Sequence, residues 1–243
     1  MKLRIKFSKY GAMKFIGHLD MMRYFQKAIR RADIDISYSI GFSPHQIMSF
    51  AAPLGVGLCS VGEYFDIEVN SATSSKQIMD ALNGVMVDGV RILSVKKLPD
   101  KAENAMASVA AAGYMVEFKE GKEPGLDWNV LIPKFISLPH IMATKKTKKS
   151  EVELDLKPSI YELTCRDHGI YMMVDASSKG NIKPKLVMDA FYKENGVLLG
   201  DYDLQITRQD TYGDRTGNFN LRPDAQVSDE HDFVPLGDFG DIF

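Results

Sequence analysis

Cysteine is scarce: the 243 residues contain two, Cys59 and Cys165, each alone and far from the other. They can build neither a disulfide framework nor a Cys-x-x-Cys metal knuckle, and both read as buried thiols. The chain also lacks a Cys-x-x-x-Cys-x-x-Cys run, a Gly-x-Gly-x-x-Gly turn, His-Glu-x-x-His and Gly-x-Ser-x-Gly. Most common enzyme classes are thereby disfavoured, and no metal or cofactor is expected. No stretch approaches the roughly 18 consecutive apolar residues of a membrane span. The opening Met1-Lys2-Leu3-Arg4-Ile5-Lys6-Phe7 alternates charged and apolar residues, which is not the pattern of a signal peptide. A soluble, cytoplasmic protein without membrane contact is the expectation.

Acids are nearly missing from residues 1–32, which carry nine Lys/Arg against the single Asp20. Lys and Arg are missing from residues 224–243, which carry six acids. The formal net charge of −2 hides this separation, which points to an anionic partner at the basic end.

What is present is ordinary globular material, 45% hydrophobic and 26% charged, enough for two domains. Residues 2–8 alternate strictly, with Leu3, Ile5 and Phe7 on one face, as in a half-buried strand. Residues 17–32 carry Leu19, Met22, Phe25, Ile29 and Ala32 at helical spacing. Extended segments follow at 34–39 and 46–52, a strand at 63–69, a helix at 74–85 and a strand at 89–98, giving the order βαββαβ of a ferredoxin-like unit. After an Ala-rich linker or short helix at 101–112, a similar order starts afresh. It runs through a strand at 114–119, a helix at 126–138 bent at Pro133, a strand at 140–146, a hairpin of 161–165 with 170–174, a helix at 183–193 and a strand at 202–207. The expected fold is α+β, with two tandem ferredoxin-like halves (1–100 and 113–211) and a disordered acidic tail, 212–243.

Three constellations could carry function. Arg23, Lys27 and Arg30 fall at i, i+4 and i+7 on the first helix, with Arg31 beside them, a spacing that makes a phosphate-tracking stripe. A solvated helix end favoured by the macrodipole is the plainer explanation. The turn Gly41-Phe42-Ser43-Pro44-His45, followed by Gly55, Gly57 and Glu63, presents a histidine with little conformational freedom and could shape a cleft. Were His18, at the start of the first helix, to share that cleft with His45, the pair could serve as acid and base in phosphodiester cleavage. The basic run Lys145-Lys146-Thr147-Lys148-Lys149 reads as a solvated hairpin tip with non-specific affinity for nucleic acid. Lys2, Arg4 and Lys6 are best explained by cross-strand pairing with Asp66 and Glu68.

Gly17-His18-Leu19-Asp20, Arg30-Arg31-Ala32, Gly41-Phe42-Ser43-Pro44-His45, Pro53-Leu54-Gly55 and Glu63-Tyr64-Phe65-Asp66 together resemble the radical-SAM-linked family. The likeness is strong over residues 10–69 and extends to about residue 210; Ser43 stands where the family pattern has Asn. The resemblance implies a protein encoded beside, or fused with, a radical SAM protein, often near genes for ribonuclease G and large-subunit ribosomal proteins. It implies an accessory module for that partner, binding RNA or a ribosomal component while the partner supplies the radical chemistry. The architecture also resembles that of the CRISPR repeat-processing endoribonucleases, which keeps RNA cleavage as an alternative. A protein–protein adaptor without RNA contact is the third reading.

Overall fold

The computed structural model describes residues 1–146, 151–166, 169–217 and 231–243. The chain divides into two compact units: Met1–Ala110 with Arg208–Phe243 (unit 1), and Ala111–Thr207 (unit 2).

Unit 1 contains β1 (Lys2–Lys9), α1 (His18–Arg31), β2 (Met48–Phe50), β3 (Cys59–Glu68), α2 (Ser75–Asn83) and β4 (Val90–Lys97). The strands run antiparallel in the order β4-β1-β3, with Ile5 opposite both Phe65 and Val95, and β2 pairs with β3 at Phe50↔Phe65. The apolar face of β1, with Leu3, Ile5 and Phe7, packs against Phe25 and Ile29 of α1 and Ile78 and Leu82 of α2. Rings of Phe7, Phe25, Phe50 and Phe65 meet at centroid distances of 4.6–6.2 Å, mostly edge-on or tilted.

The helix forms where its periodicity predicts it, but its buried stripe is Met21, Phe25, Ala28 and Ile29. Leu19, expected on that stripe, is 66% exposed. The i, i+4, i+7, i+8 set gives the wider apolar face that a core-facing helix needs. Asp33 stops the helix with φ of 53°. The Ile34 amide donates to Ile29 O (3.2 Å) and the Asp33 amide to Arg30 O (3.3 Å), the paired bonds of a Schellman cap.

The second face of β1 is covered as well. Arg4 is buried and donates to both carboxylate oxygens of Asp66 (2.8 and 3.0 Å), to Leu236 O (3.2 Å), Glu103 O (3.2 Å) and Ser108 Oγ (3.4 Å). Burial pushes the Asp66 carboxyl up, while Arg4 pulls it down.

The expectation of a disordered tail from residue 212 is corrected for the described residues. β10 (Leu204–Asp214), in which the chain passes from unit 2 to unit 1, continues through Tyr212 and pairs with β11 (Phe233–Pro235). A 3₁₀ turn, Leu236–Phe239, follows, with Leu236 fully buried. Lys96 pairs with Asp238 (3.1 Å), and Phe243 packs on the core. Acidic composition suggested a solvated segment, yet its few apolar residues and backbone cap the sheet. Residues 218–230 lie outside the described part of the tail.

Thr211 Oγ1 donates to Gly62 O (2.9 Å), so the end of β10 lies against β3. A Cβ on Gly62 would stand 2.3 Å from Asp210 Cα and 2.6 Å from Gln209 O, and backbone cannot swing aside as a side chain can. Gly62→Ala is expected to cost about 2–3 kcal/mol, read as an earlier urea midpoint, because the strands must separate locally.

Unit 2 contains β5 (Ala111–Phe118), α3 (Trp128–Ile136), the hairpin β6 (Met142–Lys146) with β7 (Glu151–Asp155), β8 (Ile160–Arg166), β9 (Gly169–Asp175) and α4 (Pro184–Glu194). The strands run antiparallel in the order β5-β9-β8, and residues 204–207 of β10 fall in this unit. Trp128 stacks on Phe118 at 4.9 Å and meets Phe191 at 5.5 Å, which ties α3 and α4 into one aromatic core. The Ala-rich segment before unit 2 is neither helix nor pure linker, since Ala111 and Ala112 already belong to β5. Thr147, Lys148 and Lys149 of the basic run, and Asp167 and His168 of the hairpin tip, lie outside the described residues.

Candidate functional site

Two features of unit 1 bear on function, an exposed cationic face of α1 and a buried polar cluster at its N-terminal end. Because Met21, Phe25, Ala28 and Ile29 turn toward the sheet, Arg23, Lys27, Arg30 and Arg31 are left exposed. Arg23 pairs with Asp20 at 3.3 Å, with both side chains about two-thirds exposed or more, a contact of little energy in water. Arg30 Nε donates to Gln26 O (3.3 Å) and Arg31 Nη2 to Val85 O (3.2 Å), so backbone carbonyls orient both guanidinium groups without neutralising them. Lys27 has no ion pair among the described residues.

The cluster gathers buried Lys9, Glu63 and Arg208 with half-buried His18. Glu63 and Arg208 form a buried ion pair (2.9 Å), and Arg208 also donates to Ala52 O (3.1 Å). Lys9 Nζ donates to Ile16 O (2.6 Å). Burial pushes the Lys9 ammonium below the usual lysine range, with Glu63 and Cys59 pulling it up and Arg208 adding to the fall. Burial likewise lowers His18, opposed by Glu63 and aided by Lys9, which favours the neutral imidazole. His18 stands edge-on to Phe50 at 5.4 Å. Phe7, Lys9, His18, Phe50, Leu54 and Glu63 help line a cavity of about 20 Å³, the room of one water molecule.

The structure therefore brings His18 and Glu63 together but does not bring His45 to them. The ring of His45 bonds Ser39 Oγ through Nδ1 (2.8 Å), and residues 41–45 are all exposed. The neighbouring Gln46 donates to Gln26 O (3.2 Å), eight residues along α1 from His18, or about 12 Å of helix rise. The turn from Gly41 to His45 is thus a projecting loop and contributes no wall to the small cavity, which Glu63 does line. Gly41 is required for its backbone, with φ of 131°. A Cβ on Gly55 would meet Leu58 Cδ1 at 3.5 Å, an ordinary contact, so nothing around this position demands a glycine.

Two members of the cluster escaped the sequence reading. Lys9 continues the apolar face of Leu3, Ile5 and Phe7, and a lysine at that position of the alternation is the signal that could have marked it. Arg208 lies two residues beyond buried Ile206 on the same strand face, where the strand had been expected to end at 207. A larger concavity of about 460 Å³ opens over Arg4 beside Pro99 and Lys101, but Arg4 has every nitrogen committed to hydrogen bonds within unit 1. Among the described residues no three His, Cys, Asp or Glu side chains gather as a metal site. Nor is any described helix long and apolar enough to cross a membrane.

Residues 2–184 match the model of a family described as "Uncharacterized protein conserved in bacteria (DUF2344)". The chain belongs to this family. No curated protein matches the chain. Among solved structures, a chain of a Cbf5-Nop10-Gar1 complex is similar at 8% identity and a TM-score of 0.45. The match covers 86% of this DUF2344 chain and 48% of the other, so it spans about half of that neighbour's length. At that distance the likeness says nothing about activity.

Proposed function

We propose that the protein is an accessory module that binds RNA, or a ribosome-related substrate, through the exposed face of α1, without itself catalysing a reaction. The observation that carries this reading is the set of four cations, Arg23, Lys27, Arg30 and Arg31, exposed on one face of a helix whose sequence holds a single acid, Asp20. A helix of 14 residues has no need of so many like charges for its own stability, whereas a phosphate backbone neutralises them at once. The partner we propose is a radical SAM protein, on the sequence resemblance of residues 10–69. Each unit is best read as a ferredoxin-like βαββαβ unit, from the sheet order β4-β1-β3-β2 in unit 1 and β5-β9-β8 in unit 2.

The RNA-cleavage alternative has less behind it. His18 and His45 have separate partners, and the cavity beside His18 is too small for a nucleotide. The test is binding of the purified 243-residue protein to total cellular RNA at low salt, with wild type compared to a variant carrying alanine at 23, 27, 30 and 31. A loss of at least about tenfold in affinity is the expected result. Equal affinities would remove α1 as the interface, and no binding by either protein would leave a protein–protein adaptor.

A further inference from the structure

Residues 38–46 form a short antiparallel turn that stands beside the cationic helix. Tyr38 bridges Gln46, the Ser39 amide donates to His45 O (2.9 Å), and the His45 amide donates back to Ser39 Oγ (3.1 Å). With Ser39 Oγ also bonded to the His45 ring, three hydrogen bonds close the base of the turn and Pro44 restricts its backbone. Its base is anchored on α1. The buried Gln46 donates to Gln26 O, the same carbonyl that accepts from Arg30 Nε, so the turn rises next to Arg30.

At the end of this turn, Ile40 and Phe42 are fully exposed, and Tyr38 is half-exposed at the next alternate position. Exposing a phenylalanine and an isoleucine completely forfeits the burial that would ordinarily hold them, and none of the described residues of unit 1 covers them. The sequence from Ile36 to Gly62 carries no Asp or Glu, so nothing there repels a polyanion drawn to α1. An exposed aromatic ring beside cations that track phosphates is how proteins hold unpaired bases, since every base has a face to stack and the charges follow the backbone.

We propose that the turn of residues 38–45 is a stacking arm for the unpaired bases of single-stranded RNA, with Phe42 as its principal platform and the Arg30 side of α1 holding the adjoining phosphates. The arm rests on the reading of α1 as the phosphate-contacting face, and it makes unpaired strands, and not duplex, the preferred RNA. A duplex keeps its bases stacked on one another and offers Phe42 no free face.

The experiment measures affinity of the full chain for a fluorescein-labelled oligoadenylate and for a blunt RNA duplex of the same length. Wild type, Phe42→Ala, Phe42→Tyr and the four-alanine α1 variant are compared. Phe42 is fully exposed, so its replacement does not threaten the fold. Phe42→Ala is expected to weaken oligoadenylate binding about 5- to 100-fold and to leave duplex binding unchanged, with Phe42→Tyr close to wild type. An unchanged oligoadenylate affinity in Phe42→Ala, or an equal loss on both RNAs, would overturn the stacking arm. If the α1 variant still loses affinity in that case, the phosphate face stands and Phe42 faces a protein instead. If the α1 variant binds as wild type does, the phosphate face fails on its own account.

Discussion

Replacing Arg4 by methionine is expected to destabilise the protein by about 3–5 kcal/mol, as removal of one partner of a buried ion pair does. The guanidinium satisfies both oxygens of Asp66 and two backbone carbonyls, Glu103 O and Leu236 O, one from each of the two stretches of sequence that make up unit 1. Without it, a carboxylate stays buried with no cation, and the segments around residues 103 and 236 lose the group that joins them to β1. The double variant Arg4→Met with Asp66→Leu is expected to recover most of the loss, because the pair's own net contribution is small once neither charge is left alone. Urea unfolding followed by far-ultraviolet circular dichroism reads this. The single tryptophan, Trp128, lies in unit 2 and would report on the wrong unit. Equal losses in the single and double variants would show that Arg4 acts by shape alone.

Glu63→Leu is expected to cost a similar amount, about 3–5 kcal/mol, for the opposite reason. It removes the one carboxylate from a cluster that buries Lys9 and Arg208 together, leaving two like charges. Lys9 is already lowered by burial, and Glu63 opposes that fall, so its loss drives the folded-state pKa further down. The unfolded chain then binds more protons than the folded one across the interval up to the ordinary lysine value of about 10.4, and stability rises with pH. The deficit should therefore be full below the folded-state pKa and shrink as pH rises toward that value. A deficit independent of pH would mean that Lys9 does not sense Glu63. Because the cavity beside this cluster holds about one water, its charges are read as structural, and Glu63→Leu should leave RNA affinity unchanged in the folded fraction.

Much of this arrangement is legible in the sequence because it is local and periodic. The alternation of β1, the basic face of α1 and the hairpin of β8 with β9 all follow from spacing within a dozen residues. What escaped depends on distant chain. Arg4 looks like the wet face of a half-buried strand until a segment more than two hundred residues away covers it. The pairing of Arg4 with Asp66 was foreseeable from neighbouring strands, but its burial was not. β7, Glu151–Asp155, is too polar to announce itself and forms by pairing with β6. The end of the chain reads as solvated from its acids, although Phe233, Leu236 and Phe243 find places in unit 1. At the site, the exposure of the four α1 cations was legible, whereas the separation of His45 from His18 depends on where Gln46 meets the helix.

The most direct measurement of the central claim is the salt dependence of single-stranded RNA affinity, compared between wild type and the variant with alanine at 23, 27, 30 and 31. Plotted as the logarithm of the association constant against the logarithm of salt concentration, the wild-type line should be steeper than the variant's by up to about 3, at roughly 0.7 for each phosphate contact removed. Parallel lines would contradict α1 as the phosphate-contacting face.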